Sequence, residues 1–218
     1  MEIPLSKLQQ EIIIGNILGD GCVEFDGFRG SRLQIKQAEK YEDYVFWLYR
    51  ELKDLCKSTP KRKRDTNQWY FSTRHLDKLT ELYKLFYPNG KKKIPKNITD
   101  LIVSDLTLAV WYMDDGRLDY RPKDHYTFML STDDFSFEDV HRLKEVLSDN
   151  FGIVSTVYSC LGKSKRYPKL YIGAIGRDKF LKLISPHILT CFSHKLPPLN
   201  IKRNYNLTPQ RLISPDGE

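Results

Sequence analysis

Two stretches of the chain are apolar on nearly every side for the length of a helix, and both end in Asp-Gly. The first is Ile13-Ile14-Gly15-Asn16-Ile17-Leu18-Gly19-Asp20-Gly21; the second is Leu108-Ala109-Val110-Trp111-Tyr112-Met113-Asp114-Asp115-Gly116. A helix apolar all round has no face for solvent and is expected inside the molecule. Before the first, Ser6 stands as an N-cap with Gln9 three residues on, which predicts a helix over Lys7–Asp20. Gly21 is placed to end it in the left-handed conformation. The second helix is expected over Ser104–Asp115.

Between and after these helices the period changes. Strands are expected at Cys22–Phe25 and Arg32–Gln37, with Gly27, Gly30 and Ser31 breaking between them. In the second of these, Leu33 and Ile35 face one way while Arg32, Gln34 and Lys36 face the other. A helix over Lys40–Cys56 carries Tyr44, Trp47, Leu48, Leu52 and Leu55 at helical spacing. Strands at Thr59–Arg64 and Gln68–Thr73 follow, then a helix over His75–Phe86 stopped by Pro88-Asn89-Gly90. After the second apolar helix the order repeats. Strands fit Arg117–Tyr120 and Tyr126–Ser131, a helix capped by Ser136 runs to Asn150, strands fit Ile153–Cys160 and Lys169–Ala174, and a helix fits Arg177–Ile188.

The pattern is therefore α+β, an αββαββα unit used twice. Asp20 and Asp115 stand 95 residues apart, Gln37 and Asp133 stand 96 apart, and Lys93-Ile94-Pro95 answers Lys195-Leu196-Pro197 at 102. The expected division is 1–96, 97–200 and a tail at 201–218, with Lys91–Asp100 joining the halves.

Composition narrows the partner. A net charge of +7 with pI about 9.1 favours a polyanion, although a generally basic solvated surface has the same charge. Basic residues gather near strand ends: Arg29 and Arg32; Lys61, Arg62, Lys63 and Arg64; Arg117; Lys163, Lys165 and Arg166. Gln34, Lys36, Gln68, Tyr70, Ser72, Tyr158 and Tyr171 interleave with them on strands. Such faces suit a DNA groove, where Arg, Lys and Gln read base edges and lysines hold phosphates. Cys22, Cys56, Cys160 and Cys191 show no CxxC pair and read as reduced thiols, so a zinc site is not expected. No apolar run reaches membrane-spanning length, and Met1–Gln10 resembles neither signal nor transit peptide. The expected location is intracellular, where the protein is made.

If the two apolar helices pack in parallel, Asp20 and Asp115 emerge together. Small residues (Gly15 and Gly19 against Ala109 and Val110) allow that approach. Converging carboxylates repel and call for a cation, and a divalent metal with oxygen ligands supplies it. Asp114 falls at the register of Gly19, in the helix contact, and reads as secondary to Asp115.

The paired motifs, IIGNILGDG and LAVWYMDDG, resemble those of the LAGLIDADG homing endonucleases in their single-chain form, over roughly residues 6–200. The resemblance implies two pseudo-symmetric halves with saddle-shaped antiparallel sheets and a central two-helix interface. It implies Mg²⁺, with Mn²⁺ able to substitute, on Asp20, Asp115 and the backbone at Gly19 and Asp114. It places a basic residue near each centre, Lys195 in one half and Lys92 or Lys93 in the other. Gln37 falls where relatives hold solvent near the metal, and its counterpart here is Asp133. The implied activity is cleavage of both strands of a long asymmetric DNA by a monomer, initiating intron mobility in an organellar or prokaryotic genome. An RNA maturase acting on its host intron is the alternative, and a silent DNA-binding regulator a third.

Overall fold

The structure, a computed structural model, describes residues 3–121, 125–162 and 165–198. The tail expected at 201–218 and the candidate Lys163 lie outside the described residues.

The first helix, α1 (Lys7–Leu18), starts as anticipated: Ser6 accepts from the Gln9 N–H at 3.1 Å and the Gln9 side chain answers the Ser6 N–H. It stops two residues earlier than Asp20, with Gly19 as its C-cap. Gly21 is not left-handed. Its N–H donates to the Asn16 carbonyl at 2.8 Å, and a Cβ there would lie 2.8 Å from the same oxygen, so close approach is what requires glycine. The counterpart α4 (Asp105–Asp115) is capped by Ser104, which accepts from Thr107 N–H at 3.2 Å.

These two helices pack on each other at the centre of the molecule. Their shared face is nearly backbone on backbone. A Cβ built on Gly15 would fall 2.7 Å from Val110 Cβ, and one on Gly19 would fall 2.4 Å from Asp114 Cβ. Thr107 adds a hydrogen bond from its hydroxyl to the Glu11 carbonyl, 3.1 Å. Ile12, Ile13 and Ile17 are fully buried, as are Leu108 to Tyr112, which explains why neither helix has a polar face.

Each half wraps this pair with one antiparallel sheet. The first contains β1 (Cys22–Phe25), β2 (Ser31–Ala38), β3 (Lys61–Lys63) and β4 (Gln68–Ser72) in the order β1-β2-β4-β3. The second contains β5 (Gly116–Arg121), β6 (His125–Ser131), β7 (Thr156–Leu161) and β8 (Arg166–Ile172) in the order β5-β6-β8-β7. The helices α2 (Glu42–Leu52), α3 (Asp77–Phe86), α5 (Phe137–Phe151) and α6 (Arg177–Ile184) complete two αββαββα units. Leu33, Ile35 and Phe71 bury one face of the first sheet, and Phe128, Leu130, Leu170 and Ile172 one face of the second.

Two local differences have simple causes. The helix expected over Lys40–Cys56 is α2 flanked by single 3-10 turns at Glu39–Tyr41 and Lys53–Leu55. The strand expected at Lys169–Ala174 begins at Arg166 and runs through Pro168. Proline is tolerated there because the β6 ladder ends at Ser131↔Lys169, so no strand awaits its missing N–H. The Pro168 carbonyl on that side is taken by the Thr132 hydroxyl, 2.7 Å.

Candidate active site and nucleic-acid interface

At the shared end of α1 and α4 three carboxylates meet. Asp20 follows the cap of α1 and is exposed, while Asp114 and Asp115 close α4. The Asp114 side chain crosses to the other half. Its Oδ2 accepts from the Asp20 backbone N–H at 3.3 Å and its Oδ1 from Gln37 Nε2 at 3.2 Å. The same Gln37 nitrogen donates to Asp20 Oδ2 at 3.0 Å. Gln37 reaches this point from the inner face of β2, where it is buried among apolar neighbours.

Electrostatics follow from this crowding. Burial first, and then the charge of Asp20, push the Asp115 carboxyl up to about 7, against the pull of Lys92 and Lys195. Burial and the same neighbour drive Asp114 well above the usual carboxylate range. Tyr44, fully buried in α2, lies against Asp114 without completing a hydrogen bond of regular geometry, and burial pushes its hydroxyl well up.

One lysine attends each helix end. Lys92 Nζ donates to the Gly19 carbonyl at 2.8 Å. Lys195 Nζ donates to the carbonyls of Met113 at 2.6 Å and Asp114 at 3.2 Å. Burial lowers both ammonium pKa values; Asp115 is the main opposing charge at Lys92 and Asp114 at Lys195. Cations suit the carbonyl-rich C-terminus of a helix, and here the main-chain oxygens of Gly19 and Asp114 are each taken by a lysine ammonium. Register had favoured Lys93 as the partner of Lys195. The structure instead puts Lys92 opposite it, while Lys93 is exposed and uses its backbone N–H on Phe86.

Gln37 and Asp133 are not equivalent positions. Cys22, two residues after Asp20, pairs with Gln34, and Arg117, two after Asp115, pairs with Met129. Three residues further along each strand come Gln37 and Thr132. The Thr132 hydroxyl is committed to Pro168, and Asp133 is ion-paired outward to Lys169 at 2.7 Å. The neighbouring Asp134 instead feels both Lys92 and Asp115. Tyr44 and Asp134 carried no signal in the sequence: one reads as an ordinary core aromatic, the other as one of two adjacent acids.

Among the described residues, no group of three His, Cys, Asp or Glu side chains is set to hold a metal ion unaided. The donor set nonetheless fits a hard cation. Asp20 and Asp115 repel each other, the Gly19 and Asp114 carbonyls beside them already accept cationic ammoniums, and a magnesium-like ion takes its remaining ligands from water and phosphate.

The outer sheet faces flank this cluster. On the first, ladder register sets Gln34 opposite Ser72 and Lys36 opposite Tyr70, so that Arg32, Gln34 and Lys36 of β2 share a face with Gln68, Tyr70 and Ser72 of β4 and with Lys61 and Lys63 of β3. Arg62 lies on the opposite pleat, ion-paired to Glu39 at 2.5 Å, and Arg64 lies in the turn between β3 and β4. Arg29, in the β1–β2 turn, pairs with Asp26 at 2.7 Å, and Arg32 pairs with Glu24 at 2.9 Å. On the second sheet Arg117, Met129, Tyr171 and Thr156 share the outer face with Ser131, Lys169 and Tyr158. Lys169 was not anticipated there. Arg166 is on the other pleat, against Ser159, and Lys165 sits over the Tyr167 ring.

Duplicated αββαββα halves, joined by two Asp-Gly helices that present acids between two polar sheet faces, define the two-motif LAGLIDADG class. A family model of the LAGLIDADG DNA endonuclease family matches residues 10–180, and the chain belongs to that family. It is 31% identical over 204 residues to the cytochrome b mRNA maturase bI2 of Debaryomyces hansenii, covering 88% of this chain and 75% of that protein. It is 29% identical over 202 residues to the probable intron-encoded endonuclease 1 of Wickerhamomyces canadensis, covering 88% and 85%. Its fold is similar to that of the homing endonuclease I-WcaI bound to its DNA recognition sequence. The TM-score is 0.76 at 28% identity, covering 89% of this chain and 88% of that one.

Proposed function

We propose that this protein is a homing endonuclease that hydrolyses both strands of a long, asymmetric DNA site and so initiates the spread of its intron. The observation that carries the reading is the meeting of Asp20 and Asp115 at adjacent helix ends, each end attended by a half-buried lysine. The halves 1–96 and 97–200 would each cover one half-site, with the outer sheet faces in the groove. Arg32, Gln34, Lys36, Gln68, Tyr70, Ser72, Arg117, Tyr158 and Tyr171 would contact bases and backbone there, with Arg29, Lys61, Lys63, Arg64 and Lys165 holding phosphates at the edges.

Mg²⁺ or Mn²⁺, held by Asp20, Asp115 and the main-chain oxygens of Gly19 and Asp114, would polarise the scissile phosphate and activate water. The chain's own groups do the rest. Lys92 and Lys195 exchange a carbonyl for the phosphate and stabilise the charge that develops on it. Gln37 holds the Asp20 carboxylate in place. Two acids on one end of a helix pair, facing opposite strands, allow both strands to be cut by a monomer.

The test is direct: selection of cleaved sites from a duplex library with Mg²⁺, against Asp20→Asn and Asp115→Asn. Metal-dependent double-strand cuts by the unmodified protein alone are the expected result; absence of cuts from every library member overturns the reading.

A second reading, an RNA maturase, is favoured by the 31% identical relative that carries that name. It predicts tight binding of a structured intron RNA and splicing assistance that survives Asp20→Asn.

A further inference from the structure

We infer that Asp114 is a positioning residue that makes the two carboxylate centres unequal, tethering Asp20 while nothing among the described residues tethers Asp115 in the same way. The inference deepens the endonuclease reading and rests on it for its consequence in cleavage.

The geometry is one-sided. Asp114 accepts from the Asp20 N–H at 3.3 Å and from Gln37 at 3.2 Å, and Gln37 in turn grips the Asp20 carboxylate at 3.0 Å. These three contacts form a closed loop that fixes both ends of Asp20. Pseudo-symmetry would require the same loop around Asp115, and both of its parts are missing. The residue matching Asp114 is Gly19, which has no side chain and against which Asp114 itself packs. The residue matching Gln37 is Thr132, whose hydroxyl is turned to the Pro168 carbonyl at 2.7 Å. Among the described residues no hydrogen bond holds the Asp115 side chain; Lys92 and Lys195 act on it through charge, which does not offset its burial and the charge of Asp20.

A tethered carboxylate and an untethered one differ in the entropy lost when each must adopt its working position. The centre built on Asp20 therefore depends on Asp114 and Gln37, and the centre built on Asp115 does not. Cutting of one DNA strand should be sensitive to the loop and cutting of the other should not.

The experiment uses the full chain and a supercoiled plasmid carrying a selected site. In Asp114→Ala, one strand should slow at least about tenfold and the other less than about threefold, so that a nicked circle accumulates. Gln37→Ala should slow the same strand, and the double variant should be no slower than the slower single, because both act through Asp20. Asp114→Asn, which keeps an acceptor, should recover part of the rate. Target affinity in Ca²⁺ should change little in all of them. Equal slowing of both strands, or additive slowing in the double variant, overturns the inference.

A second measurement needs neither DNA nor metal. The Gln37 side-chain amide, identified in a ¹⁵N–¹H spectrum by its loss in Gln37→Ala, should move toward a free amide in Asp114→Ala. An unmoved resonance overturns the inference whether or not DNA is cut. Failure of the unmodified protein to cut any DNA, with the resonance moved, counts instead against the endonuclease reading.

Discussion

At the scale of single residues, the site is governed by how many acids share a small volume. Asp115 is held up at about 7 from an ordinary 3.8, mainly by burial and Asp20. A carboxyl raised on folding binds a proton that the unfolded chain has released, so it stabilises the metal-free protein at low pH. That stabilisation is lost as pH rises through about 7. The amount is on the order of 2 kcal/mol after solvent screening. Melting of the metal-free protein at pH 5.5 and 8.5 should show the loss, and Asp115→Asn should remove it. On the proposed reading Mn²⁺ would compete for the same oxygens, so its affinity by calorimetry should weaken below pH 7 with protons released on binding. For the lysines, Lys92→Met should lower single-turnover cleavage about a hundredfold or more, while Lys93→Met leaves that rate within about threefold. Equal effects would undo the assignment of Lys92 as the partner of Lys195. Asp20, Asp115, Gln37 and Lys195 could be read from the chain because motif and spacing single them out. Asp114 was legible only as a helix-contact residue in register with Gly19; its reach to the Asp20 N–H and to Gln37 depends on how the halves pack, and no local pattern marks it. Asp133 was matched to Gln37 by a spacing one residue too long, and only strand register shows Thr132 in that place.

At the scale of elements, caps and all-round apolar patterning made the helices legible. Ser6, Ser104 and Ser136 each cap the helix they were expected to start or precede. Helix ends were less legible, as at Leu18, because the chain leaves α1 through a contact with Asn16 rather than through a left-handed glycine. The α1–α4 contact gives the sharpest forecast. Gly15→Leu must push Val110 or the Thr107 backbone aside, since even a Cβ would come within 2.9 Å of each. Overpacking of this kind costs about 1–3 kcal/mol or more. Chemical denaturation should show that loss, whereas Lys7→Ala, on the exposed start of the same helix, should stay within about 0.5 kcal/mol.

At the scale of the whole molecule, two outer sheet faces and an excess of basic residues set the binding behaviour. Affinity for the target should fall steeply with salt, with a logarithmic slope of roughly −0.9 per phosphate contact. Lys61→Ala and Lys36→Ala should each flatten that slope, since both lie exposed on the outer face of the first sheet. Arg62→Ala should leave it nearly unchanged, because Arg62 lies on the opposite pleat with Glu39. Where the strands lie was legible from the chain, and their grouping into one sheet per half from the resemblance; which basic side chains share a face was not, since a run such as Lys61-Arg62-Lys63 alternates across the pleat whatever its charge.

The pairing of Gly19 with the Asp114 side chain also bears on how such a chain can be divided. Two copies of the first half, set together in the same way, would put glycine opposite glycine and leave a hole between the helices. Two copies of the second would put one half-buried aspartate against another. Neither half is its own complement. Produced as separate polypeptides, the halves should assemble with each other in preference to themselves.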